Sequence, residues 1–196
     1  MKQRKGRKGK GKSRETRRPR RAPQKPRGAA KPFEFLDHPA DVGFRARGRT
    51  LEELFANAAR ALCNYGWEQK NVRGARRVTV RIRAATLEDL LFSWLSELVF
   101  LTDAEKWVFG TFAVRRIRRR RAGPPTAVGN LATETQSTRR KESGDGGVWD
   151  AEATASGARF DASRHRARTY IKAVTYHQLA VRRTPAGWDA TVYLDV

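Results

Sequence analysis

Apolar residues recur at helical spacing in two stretches of this chain and alternate with polar ones in most of the others. In the first helical stretch, Leu51, Leu54, Phe55, Ala58 and Leu62 stand at i, i+3, i+4, i+7 and i+11, one face of a helix. Thr50-Leu51-Glu52-Glu53 ahead of them is a capping box: the Thr50 hydroxyl can accept from an orphan amide, and Glu53 can reach back. Gly66 is expected just past the end of this helix. Thr86-Leu87-Glu88-Asp89 opens a second helix, whose Leu87, Leu90, Leu91, Trp94, Leu95, Leu98 and Leu101 form a broad apolar face reaching to about Thr102. Glu88, Asp89 and Glu97 fall on its polar side.

The alternating stretches predict strands. Phe33–Leu36 and Val42–Gly48 flank an acidic loop, and Val78, Val80 and Ile82 alternate with Arg77, Thr79, Arg81 and Arg83 in a half-buried strand. Phe109–Arg119 and Val148–Arg159 are strands on either side of a Gly-, Pro-, Ser- and charge-rich stretch, Arg120–Gly147, which suits an inserted flexible loop. Phe160–His165 reads as a turn. Ile171–Arg183 is a long strand whose alternation slips near His177-Gln178, as at a bulge. Pro185-Ala186-Gly187 turns the chain into a last strand, with Trp188, Ala190, Val192 and Leu194 on one face and Asp189, Thr191, Tyr193 and Asp195 on the other. The order ββαβαββββ, with strands returning mostly by hairpins, predicts a single α+β domain: a mostly antiparallel or mixed sheet with two helices packed on it. No internal repeat stands out.

Charge changes the picture at the N-terminus. The formal net charge is +22, but residues 1–31 hold 15 Lys or Arg against Glu15 alone, or +14, leaving +8 for residues 32–196. The 1–31 segment has almost no large apolar residue, so it is expected to be a disordered basic tail ahead of a domain over 32–196. It has no apolar core of a signal peptide, and no run of about 18 apolar residues predicts a membrane span. The lone Cys63 excludes an internal disulfide, fits a reducing cytosol, and beside the first helix's apolar stripe reads as a buried inert thiol. The tail could neutralise RNA phosphates or serve only as a solvated, solubilising segment; it has no interleaved aromatics to stack on bases. The Arg77, Arg81 and Arg83 row reads as a solvated strand face, with RNA or protein contact as the alternative.

Candidate chemistry lies in two acidic signatures: Phe35-Leu36-Asp37-His38-Pro39-Ala40-Asp41-Val42-Gly43 and the stretch ending Tyr193-Leu194-Asp195-Val196. If the fold joins them, Asp41, Asp195 and the terminal carboxylate of Val196 form a cluster of hard oxygens. Carboxylates held close repel unless a proton or cation lies between them, and a divalent oxygen-seeking ion meets that need. The plainer alternative is a turn aspartate and a solvated terminal acid. His38, His165 and His177 have no nucleophile in a recognisable setting, which argues against hydrolysis.

Three segments together resemble the archease family: Leu36-Asp37-His38-Pro39-Ala40-Asp41-Val42-Gly43 followed by Gly48-Arg49-Thr50-Leu51-Glu52-Glu53-Leu54-Phe55; Leu90-Leu91-Phe92-Ser93-Trp94-Leu95-Ser96-Glu97-Leu98; and Lys172-Ala173-Val174-Thr175-Tyr176-His177-Gln178-Leu179 with the Asp195-Val196 ending. The resemblance spans about Pro32 to Val196, apart from 120–147. It implies a non-catalytic, monomeric, cytoplasmic protein that activates an RtcB-type RNA ligase, promoting ligase guanylylation and multiple turnover in tRNA splicing or RNA repair. RNA is then a partner through the ligase, or directly through the tail. The resemblance also implies a divalent metal, calcium first and magnesium or manganese next, held by Asp41, Asp195 and an oxygen of Val196, with His38 supporting the loop. Pro39 stands where the family usually has Thr, which removes a loop hydroxyl and stiffens the backbone. The rival reading is an RNA-binding or RNA-chaperone module acting through the basic tail.

Overall fold

The computed structural model describes residues 31–36, 42–68, 72, 76–121 and 147–196. These residues form β1 (Phe33–Leu36), β2 (Val42–Gly48), α1 (Leu51–Gly66), β3 (Arg76–Ala84), α2 (Leu87–Asp103), β4 (Trp107–Arg121), β5 (Gly147–Arg159), β6 (Ala173–Thr184) and β7 (Gly187–Asp195). The expected order of elements is present. The expected 1–31 tail, apart from Lys31, lies outside the described residues; of the expected Arg120–Gly147 insertion, Arg120 and Arg121 extend β4 and Gly147 opens β5, and 122–146 lie outside the described residues.

The strands form two sheets, a four-stranded one ordered β1-β2-β7-β6 and a three-stranded one ordered β3-β5-β4, with every pairing antiparallel. Each helix touches both: α1 packs on β2 and β4, and α2 on β6 and β3. One continuous core results, in which Phe44 and Val192 of the first sheet and Val80, Phe109 and Ala155 of the second meet Phe55, Leu62, Trp94 and Leu98 of the helices. Contact with two sheets explains why α1 buries more than its predicted stripe, adding Ala56, Asn57, Ala59, Ala61 and Cys63. Asn57 bears the burial because Nδ2 donates to the Arg47 carbonyl at 2.6 Å and Oδ1 accepts from Arg60 at 2.7 Å. The Trp94 indole likewise donates to the Phe55 carbonyl at 3.2 Å, tying the two helices together.

Both helix starts are capped as expected. Thr50 Oγ1 accepts from Glu53 N at 3.2 Å and Thr86 Oγ1 from Asp89 N at 3.0 Å. Gly66 is the last helical residue rather than the one beyond it, and Trp67 takes the cap in extended conformation. Glu88 also departs from its expected place on a solvated face: Oε1 accepts the Val181 N–H of β6 at 3.0 Å. Glu52, at the same position in α1, accepts the Ile117 N–H of β4 at 2.9 Å. Burial pushes the Glu52 carboxyl up, but that amide, its own N–H and Thr50 outweigh burial and leave it below the usual value. A short correspondence therefore exists where no repeat was expected: Thr-Leu-Glu at 50–52 and at 86–88 each start a helix and pin a strand of the sheet opposite. Both pinned strands carry a register shift, Arg115/Arg118 in β4 and Thr175/Ala180 in β6, and each shift holds a left-handed residue, Arg116 (φ 54°) and Gln178 (φ 49°). Among the described residues, no helix is long and apolar enough to cross a membrane.

Candidate functional site

The site lies where β2 begins, β7 ends and β6 bulges. Val42 pairs with Leu194 and Gly43 with Tyr193, while across β7 Thr175 faces Tyr193 and Ala173 faces Asp195. Alternation puts Leu194 inward and Tyr193 and Asp195 outward, as the sequence predicts. Tyr193 is nonetheless buried, at 9% exposure. Its ring lies over Gly43, where a Cβ would stand 2.9 Å from Tyr193 Cδ1 and 2.9 Å from the Val192 carbonyl. The absent side chain at 43 is therefore the seat of the tyrosine ring. His177, in the β6 bulge, meets the ring in an edge contact with centroids 5.3 Å apart. Thr175 Oγ1 donates to the Tyr193 carbonyl at 3.2 Å. These residues, with Val42, Leu194, Asp195 and Val196, line a shallow recess of about 270 Å³.

At the mouth of the recess, Lys172 Nζ stands 3.7 Å from Asp195 Oδ1 and donates to the Val196 main-chain oxygen at 2.9 Å. Lys172 N also donates to the Asp195 carbonyl at 2.9 Å. The carboxylate and the Val196 oxygen thus converge on one positive charge. Of the residues expected to hold a metal, Asp195 and Val196 are consecutive at the end of β7 and both line the recess; Asp41 and His38 lie outside the described residues. Among the described residues, no three carboxylate, His or Cys side chains gather to hold an ion. The donors present are hard oxygens, the kind suited to calcium or magnesium, but they are too few without a contribution from the 37–41 segment.

Sequence reasoning did not single out His177, Tyr193, Gly43 or Lys172 as site residues. The slipped alternation at His177-Gln178 was the available signal for the bulge, and Gly43 facing a large aromatic was visible only once the register was known. The other chemistry-bearing groups are structural. His165 is buried in the 161–165 turn, its Nδ1 accepting the Asp161 N–H at 3.0 Å. The Asp161 carboxyl accepts from Ser163 Oγ and N, which hold it below the usual carboxylate range. Burial pushes the Cys63 thiol up to about 12, so it stays protonated and unreactive at neutral pH. Burial first, then the Asp89 charge, pushes the Tyr176 hydroxyl up to about 12, with its ring stacked on Phe92 of α2 at 4.0 Å.

The architecture defines a class of small α+β domain in which two antiparallel sheets share two helices. A family model described as the Archease protein family (MTH1598/TM1083) matches residues 33–196. Protein archease of Methanosarcina mazei is 35% identical over 166 residues, covering 85% of this chain and 97% of its own. That of Sulfurisphaera tokodaii is 30% identical over 164 residues, covering 84% and 98%. The solution structure of Methanobacterium thermoautotrophicum protein 1598 superposes with a TM-score of 0.61 at 28% identity, covering 85% of this chain and all of that one. The chain belongs to the archease family.

Proposed function

We propose that this protein is a non-catalytic activator of an RtcB-type RNA ligase, promoting guanylylation of the ligase and its multiple turnover, and that it acts through the acidic end of the four-stranded sheet. Membership of the archease family supports the reading in general. The observation that carries it for this chain is the Val42–Leu194 pairing. Val42 follows Asp41 and Leu194 precedes Asp195 in the chain, so residues next to the two aspartates, 154 positions apart in sequence, are paired directly across the sheet. The convergence of Asp195 and Val196 on the Lys172 ammonium supports it further, because it marks these oxygens as ones that bind positive charge.

Asp41, Asp195 and a Val196 oxygen would hold the divalent ion, calcium first and magnesium or manganese as alternatives, with His38 beside the loop. A bound divalent ion supplies positive charge that neutralises triphosphate oxygens. The chain's own part is to position the donors: β7 carries Asp195, and Gly43, Tyr193 and His177 pack together beside it. In this reading Lys172 holds Asp195 and Val196 together when no metal is bound and yields when one arrives. The cytoplasmic setting, the monomeric state and the role in tRNA splicing or RNA repair belong to the same proposal. The experiment is ligase guanylylation with GTP, with and without this protein. Stimulation that is lost in Asp41→Ala and in Asp195→Ala is expected; equal stimulation by both variants would refute the acidic site.

A further inference from the structure

The outer face of the three-stranded sheet carries a concentration of arginine that the acidic site does not use. Residues directly opposite across strands share a face, so the register sorts them. Arg77, Ser156 and Thr111 form one row; Thr79, Thr154 and Ala113 the next; then Arg81, Glu152 and Arg115; then Arg83, Asp150 and Arg118; and Arg120 follows beside Val148. Six arginines thus face two acids, for a net of +4 on one sheet face. The acids satisfy only part of the set. Arg81 Nε bonds Glu152 at 3.0 Å, Arg118 Nε bonds Asp150 Oδ2 at 3.3 Å, and Arg120 Nε lies 2.8 Å from Asp150 Oδ1 without the alignment of a hydrogen bond. Arg77, Arg83 and Arg115 are exposed and make no ion pair among the described residues.

We infer that this face is a docking surface for the phosphate backbone of RNA. Every cation on it is a guanidinium, whose planar fork matches phosphate oxygens in pairs. Among the described residues the rest of the face is Thr, Ser, Ala and Val, with no aromatic platform to stack bases and no buried aromatic anchor of the kind that organises a protein interface. Strands place alternate side chains about 6.8 Å apart and neighbouring strands about 4.8 Å apart, which spreads the charges as a grid rather than a point. Such a face binds a polyanion without reading its sequence, and the affinity falls as salt rises. The choice of RNA over DNA rests on the proposed ligase role; the face itself is independent of the acidic site, 37–41 and the ligase.

The test measures binding of the full chain to a fluorescent single-stranded RNA 20-mer at several salt concentrations, with no ligase present. Arg77→Gln/Arg83→Gln/Arg115→Gln is compared with Arg164→Gln/Arg166→Gln/Arg182→Gln, which removes the same charge from exposed positions elsewhere. The sheet-face variant is expected to weaken binding about 10- to 100-fold at low salt and to reduce the salt slope by about 2, the loss of roughly three phosphate contacts at about 0.7 each. The control should change affinity less than about threefold, and the Arg→Lys triple at the sheet face should recover most of the loss, which separates charge from misfolding. Equal weakening by the two Gln triples would overturn the proposal and assign the binding to net charge and the tail. Unchanged RNA binding by the sheet-face Gln triple would overturn it as well. Loss of guanylylation in Asp195→Ala alongside unchanged RNA affinity leaves this face standing and bears only on the acidic site.

Discussion

The two sheets bury alike and expose differently. Both inner faces are apolar: Phe44, Ala46, Val192 and Leu194 on the four-stranded sheet, Val80, Phe109, Phe112 and Ala155 on the three-stranded one. On the outer face of the four-stranded sheet, Arg45 and Arg47 both pair with Glu34, and Asp189 stands between Arg47 and Arg182 in register. Three acids (Glu34, Asp189, Asp195) balance three arginines there. The other outer face carries six arginines against two acids. A balanced face costs little to keep and leaves room for a localised feature at its end, the recess of His177, Tyr193 and Asp195. An unbalanced face pays a self-repulsion that folding alone does not require. The comparison teaches that the net charge of a domain says less about partners than how each face distributes it.

The largest lesion falls on what the sheets share. Trp94 is fully buried between the helices and packs edge-on to Phe112 of the three-stranded sheet. Trp94→Ala should cost about 3–5 kcal/mol in urea unfolding, and RNA binding and ligase activation should fall together as folded protein is lost. Loss of one alone would mean the sheets fold independently and would break the comparison.

Gly43→Ala confines damage to the four-stranded sheet. The new methyl meets the Tyr193 ring and the Val192 carbonyl, so the ring must leave or β2 must shift, at about 1–3 kcal/mol. Ligase activation is expected to drop in the protein that remains folded, with RNA affinity unchanged. Lys172→Met removes the ammonium from Asp195 and Val196, and calorimetric titration should show calcium affinity rising several-fold, since a divalent ion no longer displaces a cation. Weaker calcium binding would instead make Lys172 an organiser of the donors.

The smallest effect concerns the balanced face. The hydrogen bond from Arg47 holds Glu34 below its ordinary value of 4.5; desolvation opposes it, and the Arg47, Arg45 and Lys31 charges add to it. A depressed folded pKa contributes stability that is present above about pH 4.5 and is lost as pH falls through the folded value. Wild type and Glu34→Gln should therefore differ slightly in urea midpoint at pH 7 and converge as pH falls through the folded value; a gap that widens in acid would reverse the sign. For so exposed a pair the difference is small throughout.

Much of this was legible in the chain because it depends on neighbours in sequence. The Thr50 and Thr86 caps, the Leu90–Leu101 face, the alternation of β7 and the slip at His177-Gln178 are all local patterns, and each is in place. What depended on pairing was not legible. Alternation says which face of β3 is buried but not which strand it joins, so two sheets could not be told from one. The roles of Glu52 and Glu88 were hidden for the same reason, because their acceptor oxygens serve strands 65 and 93 residues away. Tyr193 was expected outside and is there, but its burial depends on Gly43 and His177, both packed against its ring. Asp195 and Val196 stood out as acidic groups in a basic chain, but only the resemblance favoured a ligand over a solvated acid there.

The most direct measurement is multiple-turnover joining of RNA 3′-phosphate and 5′-hydroxyl ends by an RtcB-type ligase, with limiting ligase and saturating activator, comparing wild type, Asp195→Ala and the Arg77/Arg83/Arg115→Gln triple. Wild type should raise turnover, Asp195→Ala should return it to the level of ligase alone, and the arginine triple should stimulate above that level. An Asp195→Ala protein that is folded and stimulates as well as wild type would contradict the account at its centre.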